Sequence, residues 1–308
     1  MKKSKSKLKK SKERKNFIFL ISIFLILILS FTVLFTGCKK EEKKKVTAEG
    51  LSLNFVMESP PSQVSINQKF PIYAEITNTG DYDLPPNAAM FYLQGLGTNV
   101  KGYTSKLQNA NVIEKNIGKE RIVFAREAYS DLPITTPFNI TMSMMACYEY
   151  VTNVQAHVCL AQKTSDICAI EGNKITDNSN SKAPVKITSL TQSVIGKNLR
   201  IEFIIQNVGD GQLYLPSADC DGIARADPLQ ATKKNYVNVE VYDGGAGFSC
   251  SLLNEEMSSI RGLKGIAQNR VICEKMLAEG ENYLKPIQIV LKYKYVSSIS
   301  QKLTILPY

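Results

Sequence analysis

The 308-residue sequence predicts an all-β protein, two tandem β-sandwich domains behind an N-terminal membrane-anchoring helix. Three observations carry that expectation. A basic segment runs into a long uncharged apolar stretch. The chain beyond it is made of short alternating or β-branched runs without a sustained 3.6-residue period. The order of those runs repeats.

Residues 1–15 hold nine Lys or Arg and one acid, and form a basic cytoplasmic segment. The run from Phe17 through Thr36 carries no charge and is long enough for a helix crossing roughly 30 Å of hydrocarbon. It is longer than the apolar part of an ordinary secretory signal. The basic residues before it outnumber the five lysines of Lys39–Lys45 after it, which keeps the N-terminus inside and exports the rest. The expected layout is a signal or transmembrane helix over 16–37 and a charged linker over 38–49. Thr36, Gly37 and Cys38 resemble the lipobox of prokaryotic lipoproteins, although Phe35 stands where that family most often has Leu. Cys38 is therefore the candidate lipidation site, with an uncleaved signal anchor or a free cysteine beside the membrane as the alternatives.

The formal charge of +10 does not point to nucleic acid once it is located along the chain. Residues 1–37 carry +8 of it and Lys39–Lys45 a further +3, which leaves the remainder near −1. A nearly neutral body has no phosphate-binding footprint. Six cysteines follow Cys38, and an even set in an exported chain reads as disulfides. Cys250 and Cys273 are placed to staple neighbouring strands, and Cys159 and Cys168 to close a short loop. Cys147 and Cys220 either bridge the domains, holding them at a fixed angle, or stay free.

The strand runs, in order, are LSLNFVM from Leu51, FPIYAEIT from Phe70, RIVFA from Arg121, VKITSLTQSV from Val185, LRIEFIIQ from Leu199, YVNVEVY from Tyr236, IQIVLKYKYV from Ile287 and KLTIL from Lys302. In RIEFIIQ, Ile201, Phe203 and Ile205 share one face, as in a half-buried strand. IYAEITNTGDYDL (72–84) is similar to IEFIIQNVGDGQL (201–213), and CYEYVTNV (147–154) to KYKYVSSI (292–299). Two homologous sandwiches, 50–172 and 184–308, account for that order. A linker over 173–183 falls in the polar, Asn/Ser-rich stretch EGNKITDNSNSKAP.

On Asn78-Thr79-Gly80-Asp81 and Asn207-Val208-Gly209-Asp210 after their strands, and on Tyr148/Tyr150 and Tyr293/Tyr295 near the closing strands, the chain resembles the immunoglobulin-like or fibronectin-III-like modules of prokaryotic surface proteins, especially the CARDB type. The resemblance implies Ig-like sandwiches and a binding, spacing or assembly role outside the cytoplasm. The six cysteines exceed what that family usually carries.

The residues capable of chemistry are few. His157 is the single histidine, and with Cys159 two positions on it shares a strand face, the one arrangement that hints at a thiol nucleophile. One histidine beside oxidised cysteines does not make a zinc site, and no hydrolase, zincin or P-loop motif occurs. The expectation is no catalytic, cofactor-binding or metal-binding residue. The turn carboxylates Asp81/Asp83, Asp210 and Asp219/Asp221 suit ordinary turns as well as a hard cation. DGGAGFS (243–249) reads as a loop between strands, since no helix follows to offer its N-terminal amides. The Tyr-x-Tyr pairs read as cross-strand packing more readily than as a ligand platform. Without tryptophan, glycan stacking is disfavoured. Asn139-Ile140-Thr141 is a glycosylation acceptor sequon.

The function expected from these features is non-catalytic binding or scaffolding at the outer side of the cytoplasmic membrane, in surface assembly or adhesion. Its partners are the lipid bilayer and an extracytoplasmic protein, with no nucleic acid. The alternative is a lipoprotein that captures a peptide, glycan or small solute.

Overall fold

The computed structural model describes residues 50–95, 100–103, 118–127, 135–242, 248–251, 259–261 and 269–307. These residues belong to one compact unit. The apolar segment 16–37, Cys38 and the linker 38–49 lie outside them. Among the described residues no helix is long and apolar enough to cross a membrane.

The fold is all-β. The first repeat contains β1 (Leu51–Phe55), β2 (Gln63–Ser65), β3 (Phe70–Asn78), β4 (Ala89–Gln94), β5 (Val100–Tyr103), β6 (Lys119–Glu127) and β7 (Phe138–Ala161). The second contains β8 (Val185–Ile195), β9 (Asn198–Asn207), β10 (Gln212–Tyr214), β11 (Tyr236–Tyr242), β12 (Ser249–Ser251), β13 (Ser259–Arg261), β14 (Asn269–Met276) and β15 (Asn282–Leu306). Two short helices, α1 (Cys220–Ala224) and α2 (Pro228–Ala231), lie between β10 and β11.

β3 and β9 show the local logic. Phe70, Ile72, Ala74 and Ile76 are buried on one face of β3, and Leu199, Ile201, Phe203 and Ile205 on one face of β9, while the intervening residues are half-buried. Period-2 burial of this kind fixes the register, because a one-residue slip would turn every apolar side chain outward. On the outer face of β9, Arg200 pairs with Glu274 at 2.6 Å and Glu202 with Arg270 at 3.0 Å, both across to β14.

The strands form three sheets: β1-β3-β6, β12-β14-β9-β8, and a larger one ordered β13-β11-β15-β7-β4-β5, to which β10 and β2 add along β15. The large sheet is symmetric about its middle. β5-β4-β7 of one repeat meets β15-β11-β13 of the other, and the two smaller sheets bury their apolar faces with it in one core. The seam is β7 against β15, strands of 24 and 25 residues paired antiparallel from Phe138↔Ile305 to Ala161↔Asn282. Sequence reading divides the β15 region into runs at 287 and 302. The structure makes it one strand, because β7 supplies a partner for every residue between.

Segment 173–183 connects the repeats and is bonded along its length. Ser181 N donates to Asn153 O (2.8 Å), Gln155 N to Ser179 O (2.8 Å), and the Asn180 side chain both donates to and accepts from the Ile187 backbone. Ala183 is fully buried.

Candidate functional site

The repeated Asn-x-Gly-Asp turns and Tyr-x-Tyr pairs form one device, present twice. Tyr150 Oη donates to Asn78 Oδ1 at 3.2 Å, and Tyr295 Oη to Asn207 Oδ1 at 3.1 Å. Each Asn also accepts from the glycine two residues on, Gly80 or Gly209, and donates to the carbonyl four residues on, that of Tyr82 or Gly211. The glycines are required by space: a Cβ on Gly80 would overlap the Tyr150 hydroxyl and the Lys182 carbonyl, and one on Gly209 the Tyr295 hydroxyl. The motif is thus a turn lock that ties an early strand to the closing strand.

At the seam Tyr148 lies opposite Tyr295 and Tyr150 opposite Tyr293, with ring centroids 5.8 and 6.3 Å apart. All four rings are buried, so they are core packing and not an exposed ligand platform. Tyr148 Oη accepts from Leu51 N at 3.2 Å, and Tyr293 Oη shares a 3.0 Å hydrogen bond with Thr152 Oγ1, which donates to Val185 O. Burial pushes the Tyr148 and Tyr293 phenols far up and the Tyr295 phenol up to about 12.

All six described cysteines are in disulfides: Cys147–Cys220, Cys159–Cys168 and Cys250–Cys273. Cys250 and Cys273 sit opposite each other on β12 and β14. Cys159–Cys168 closes a short loop over the outer face of β7 and removes the free thiol beside His157. Cys147–Cys220 joins β7 of the first repeat to α1 of the second. It holds a second, smaller core on the outer face of the large sheet, where Tyr92, Cys147, Tyr214, Ala218, Cys220 and Val296 are buried.

The aspartates that hint at a cation have structural partners. Asp219 caps α1, accepting from Gly222 N at 2.8 Å, and Asp221 Oδ1 accepts from Tyr92 Oη at 2.7 Å. Asp81 Oδ2 accepts from Lys182 N at 2.7 Å. Among the described residues no three His, Cys, Asp or Glu side chains converge as ligands. Asn139 is exposed on β7, and its Oδ1 accepts from Thr304 Oγ1 at 2.8 Å. Residues 243–247 of the glycine-rich loop lie outside the described residues.

Two concavities are formed by the described residues named below. The first, about 350 Å³, lies on the outer face of the large sheet, bordered by Asp210, Gln212, Val296 and Ser298 on one side and by Gln94 and Ile223 on the other. The second, about 570 Å³, is a shallow groove across the β7–β15 seam that brings together Gln155 and His157 of the first repeat with Gln288, Pro286 and Tyr242 of the second. Beside it Glu240 accepts from Lys292 Nζ at 2.7 Å and from Tyr242 Oη at 2.5 Å. The Lys292 bond, with the Tyr242 bond next, holds the Glu240 carboxyl below its ordinary value, and the same contacts push Lys292 and Tyr242 up.

No protein-family model and no curated protein matches the chain. Among solved structures it is similar, at 10% identity and a TM-score of 0.19, to the secreted serine protease VesC from Vibrio cholerae, over 82% of this chain and 51% of that one. It is also similar to Escherichia coli alpha-2-macroglobulin activated by porcine elastase, at 10% identity and a TM-score of 0.19, over 86% of this chain and 22% of that one. The chain therefore spans about half the length of the first and about a fifth of the second. Likenesses this slight carry no argument about its fold or function.

Sequence reading places Cys159 with Cys168 and Cys250 with Cys273, and leaves Cys147 and Cys220 either bonded to each other or free; the structure has all three bonds. It misses Gln94, Gln212 and Ile223, which build the first concavity with α1. The signals for α1 and α2 are present: Asp219 before Cys220, and Asp227 followed by Pro228 at the first helical position.

Proposed function

We propose that the chain is a non-catalytic binding or scaffolding protein of the extracytoplasmic side, held at the cytoplasmic membrane by its N-terminal segment and acting through two tandem Ig-like repeats. The observation that carries this reading is the complete pairing of the six cysteines after Cys38. Three structural disulfides belong to an oxidising compartment, in keeping with the export signal read from residues 1–37. Support for recognition comes from the placement of polar and aromatic side chains around two concavities on a sheet made rigid by its long seam. The resemblance to surface-protein modules points the same way.

The test is chemical cross-linking in intact source cells, followed by extraction from membranes and identification of the linked species. One reproducible protein partner, linked through residues of 50–308, is the expected result. Recovery of the mature chain from the cytosol, with its cysteines reduced, would overturn the placement.

A second reading, capture of a peptide, glycan or small solute, is favoured by the groove with His157, Gln155, Gln288 and Tyr242, whose amides, imidazole and phenol suit a polar ligand. Saturable binding lost in Gln155→Ala and Tyr242→Ala would support it.

A further inference from the structure

The edge of β15 that faces away from β7 is closed unevenly. β10 pairs with it as far as Val296 and β2 from Thr304 onward, and among the described residues no strand lies against the stretch between. Thr304 N donates to Ser62 O across this edge, so by strand alternation the backbone N–H and C=O of Ser298 and Ser300 face the same way. No backbone hydrogen bond from the described residues reaches those groups.

The first repeat shows how the equivalent edge is closed. The Tyr150–Asn78 and Tyr295–Asn207 bonds set the correspondence, which makes Asn153 and Gln155 the counterparts of Ser298 and Ser300. At β7 the chain's own segment is laid along the edge: Ser181 N donates to Asn153 O and Gln155 N to Ser179 O, with Asn180 bridging Val154 antiparallel. That segment is clasped from the side by Asp81, whose N–H donates to Lys182 O (2.9 Å) and whose carboxylate accepts from Lys182 N (2.7 Å). The counterpart of Asp81 is Asp210. Asp210, Gln212, Val296 and Ser298 all border the 350 Å³ cleft. The second repeat therefore places Asp210 beside a stretch of β15 along which, among the described residues, no strand lies.

We propose that this slot receives an extended segment of a partner protein by strand addition. The segment runs antiparallel to β15 and makes main-chain hydrogen bonds to Ser298 and Ser300. Main-chain bonds supply affinity in this mode and alternate side chains supply selectivity. The partner segment carries small polar side chains, as Ser179-Asn180-Ser181 does in the first repeat. The inference rests on reading the chain as a recognition protein and names the chemistry of its partner.

The test uses the full chain in detergent and a synthetic peptide, DNSNSKAP, the sequence of residues 177–184. Amide hydrogen exchange is measured residue by residue with and without the peptide. In the free protein the Ser298 and Ser300 amides exchange freely while those of Ser297 and Ile299, directed at β7, are protected. Adding the peptide slows Ser298 and Ser300 at least about tenfold, and Ser298→Pro, which removes one edge N–H but none directed at β7, weakens peptide binding about tenfold. Ser298→Ala binds as the parent does. Three results would overturn the proposal: protection of both amides in the free chain, which would mean that another part of this chain closes the slot; protection that grows with protein concentration, which would mean a second copy; and no protection at saturating peptide. If exchange fails in any of these ways while cross-linking still recovers a partner, the slot is refuted and the recognition reading stands.

Discussion

Asn78 and Asn207 show how much one side chain settles in this protein. Each bonds a turn glycine, a turn carbonyl and a tyrosine hydroxyl on the closing strand, so a buried polar group is satisfied while two distant segments are tied. Tyr295→Phe removes its bond to Asn207 and also the 2.8 Å bond that its hydroxyl accepts from Gly211 N, and should cost about 1–2 kcal/mol of stability. Gly209→Ala forces the Tyr295 hydroxyl aside in a fully packed site and should cost more, about 2–3 kcal/mol. Denaturant titration of the two variants checks the order, and equal effects would contradict it. Three buried phenols at the seam give a pH dependence. Tyr148 and Tyr293 are held neutral by burial and Tyr295 titrates near 12, whereas unfolded phenols ionise near pH 10. A raised folded-state pKa contributes stability that is whole below about pH 10 and falls as pH rises above it, by up to ~1.4 kcal/mol per unit per phenol. Phenolate absorbance followed with circular dichroism should show the seam tyrosines ionising together with loss of the β signal.

At the scale of the element, α1 contributes little of its own. It has five residues with Gly222 among them, and its position comes from the Asp219 cap and the Cys147–Cys220 bond. That bond closes a sequence separation of 73 residues, against 9 for Cys159–Cys168. Replacing Cys147 and Cys220 together by Ala should cost about 2–4 kcal/mol and free residues 215–235 for proteolysis, because the helix is then held to the sheet only by apolar contact and by the Tyr92–Asp221 and Gln94–Ala224 hydrogen bonds. Replacing Cys159 and Cys168 should cost less and leave 215–235 resistant. The two regions differ in how legible they are in the sequence. β3 and β9 announce themselves by strict alternation, since each has one face in the core and one in water. β7 does not, because both its faces are covered along much of its length: Ala146, Tyr148 and Tyr150 face the main core, and Cys147, Cys159 and Ala161 face small outer ones. A strand buried on both faces loses the period that identifies it.

At the scale of the whole molecule, the repeat was readable and its consequence was not. Tyr148/Tyr150 and Tyr293/Tyr295 mark equivalent positions, but nothing in either pair tells which strand lies opposite, and the structure sets them against each other. The concavities are hidden for the same reason: Gln94 and Ile223 meet Asp210 only because one sheet runs through both repeats. That continuity has an energetic outcome. The buried residues of both repeats form one cluster, joined at the seam by Tyr148, Tyr150, Tyr293 and Tyr295, so the repeats should unfold together in a single transition. Phe203 lies on β9, within the second repeat, and has no exposed surface. Phe203→Ala should cost about 3–5 kcal/mol. If the repeats are one cooperative unit, that loss is felt in both: slowly exchanging amides of β3, in the first repeat, should accelerate by the same factor as those of β14 beside the mutation. If β14 accelerates while β3 keeps its protection, the seam does not couple the repeats, and the long β7–β15 pairing is a contact between two separately stable bodies.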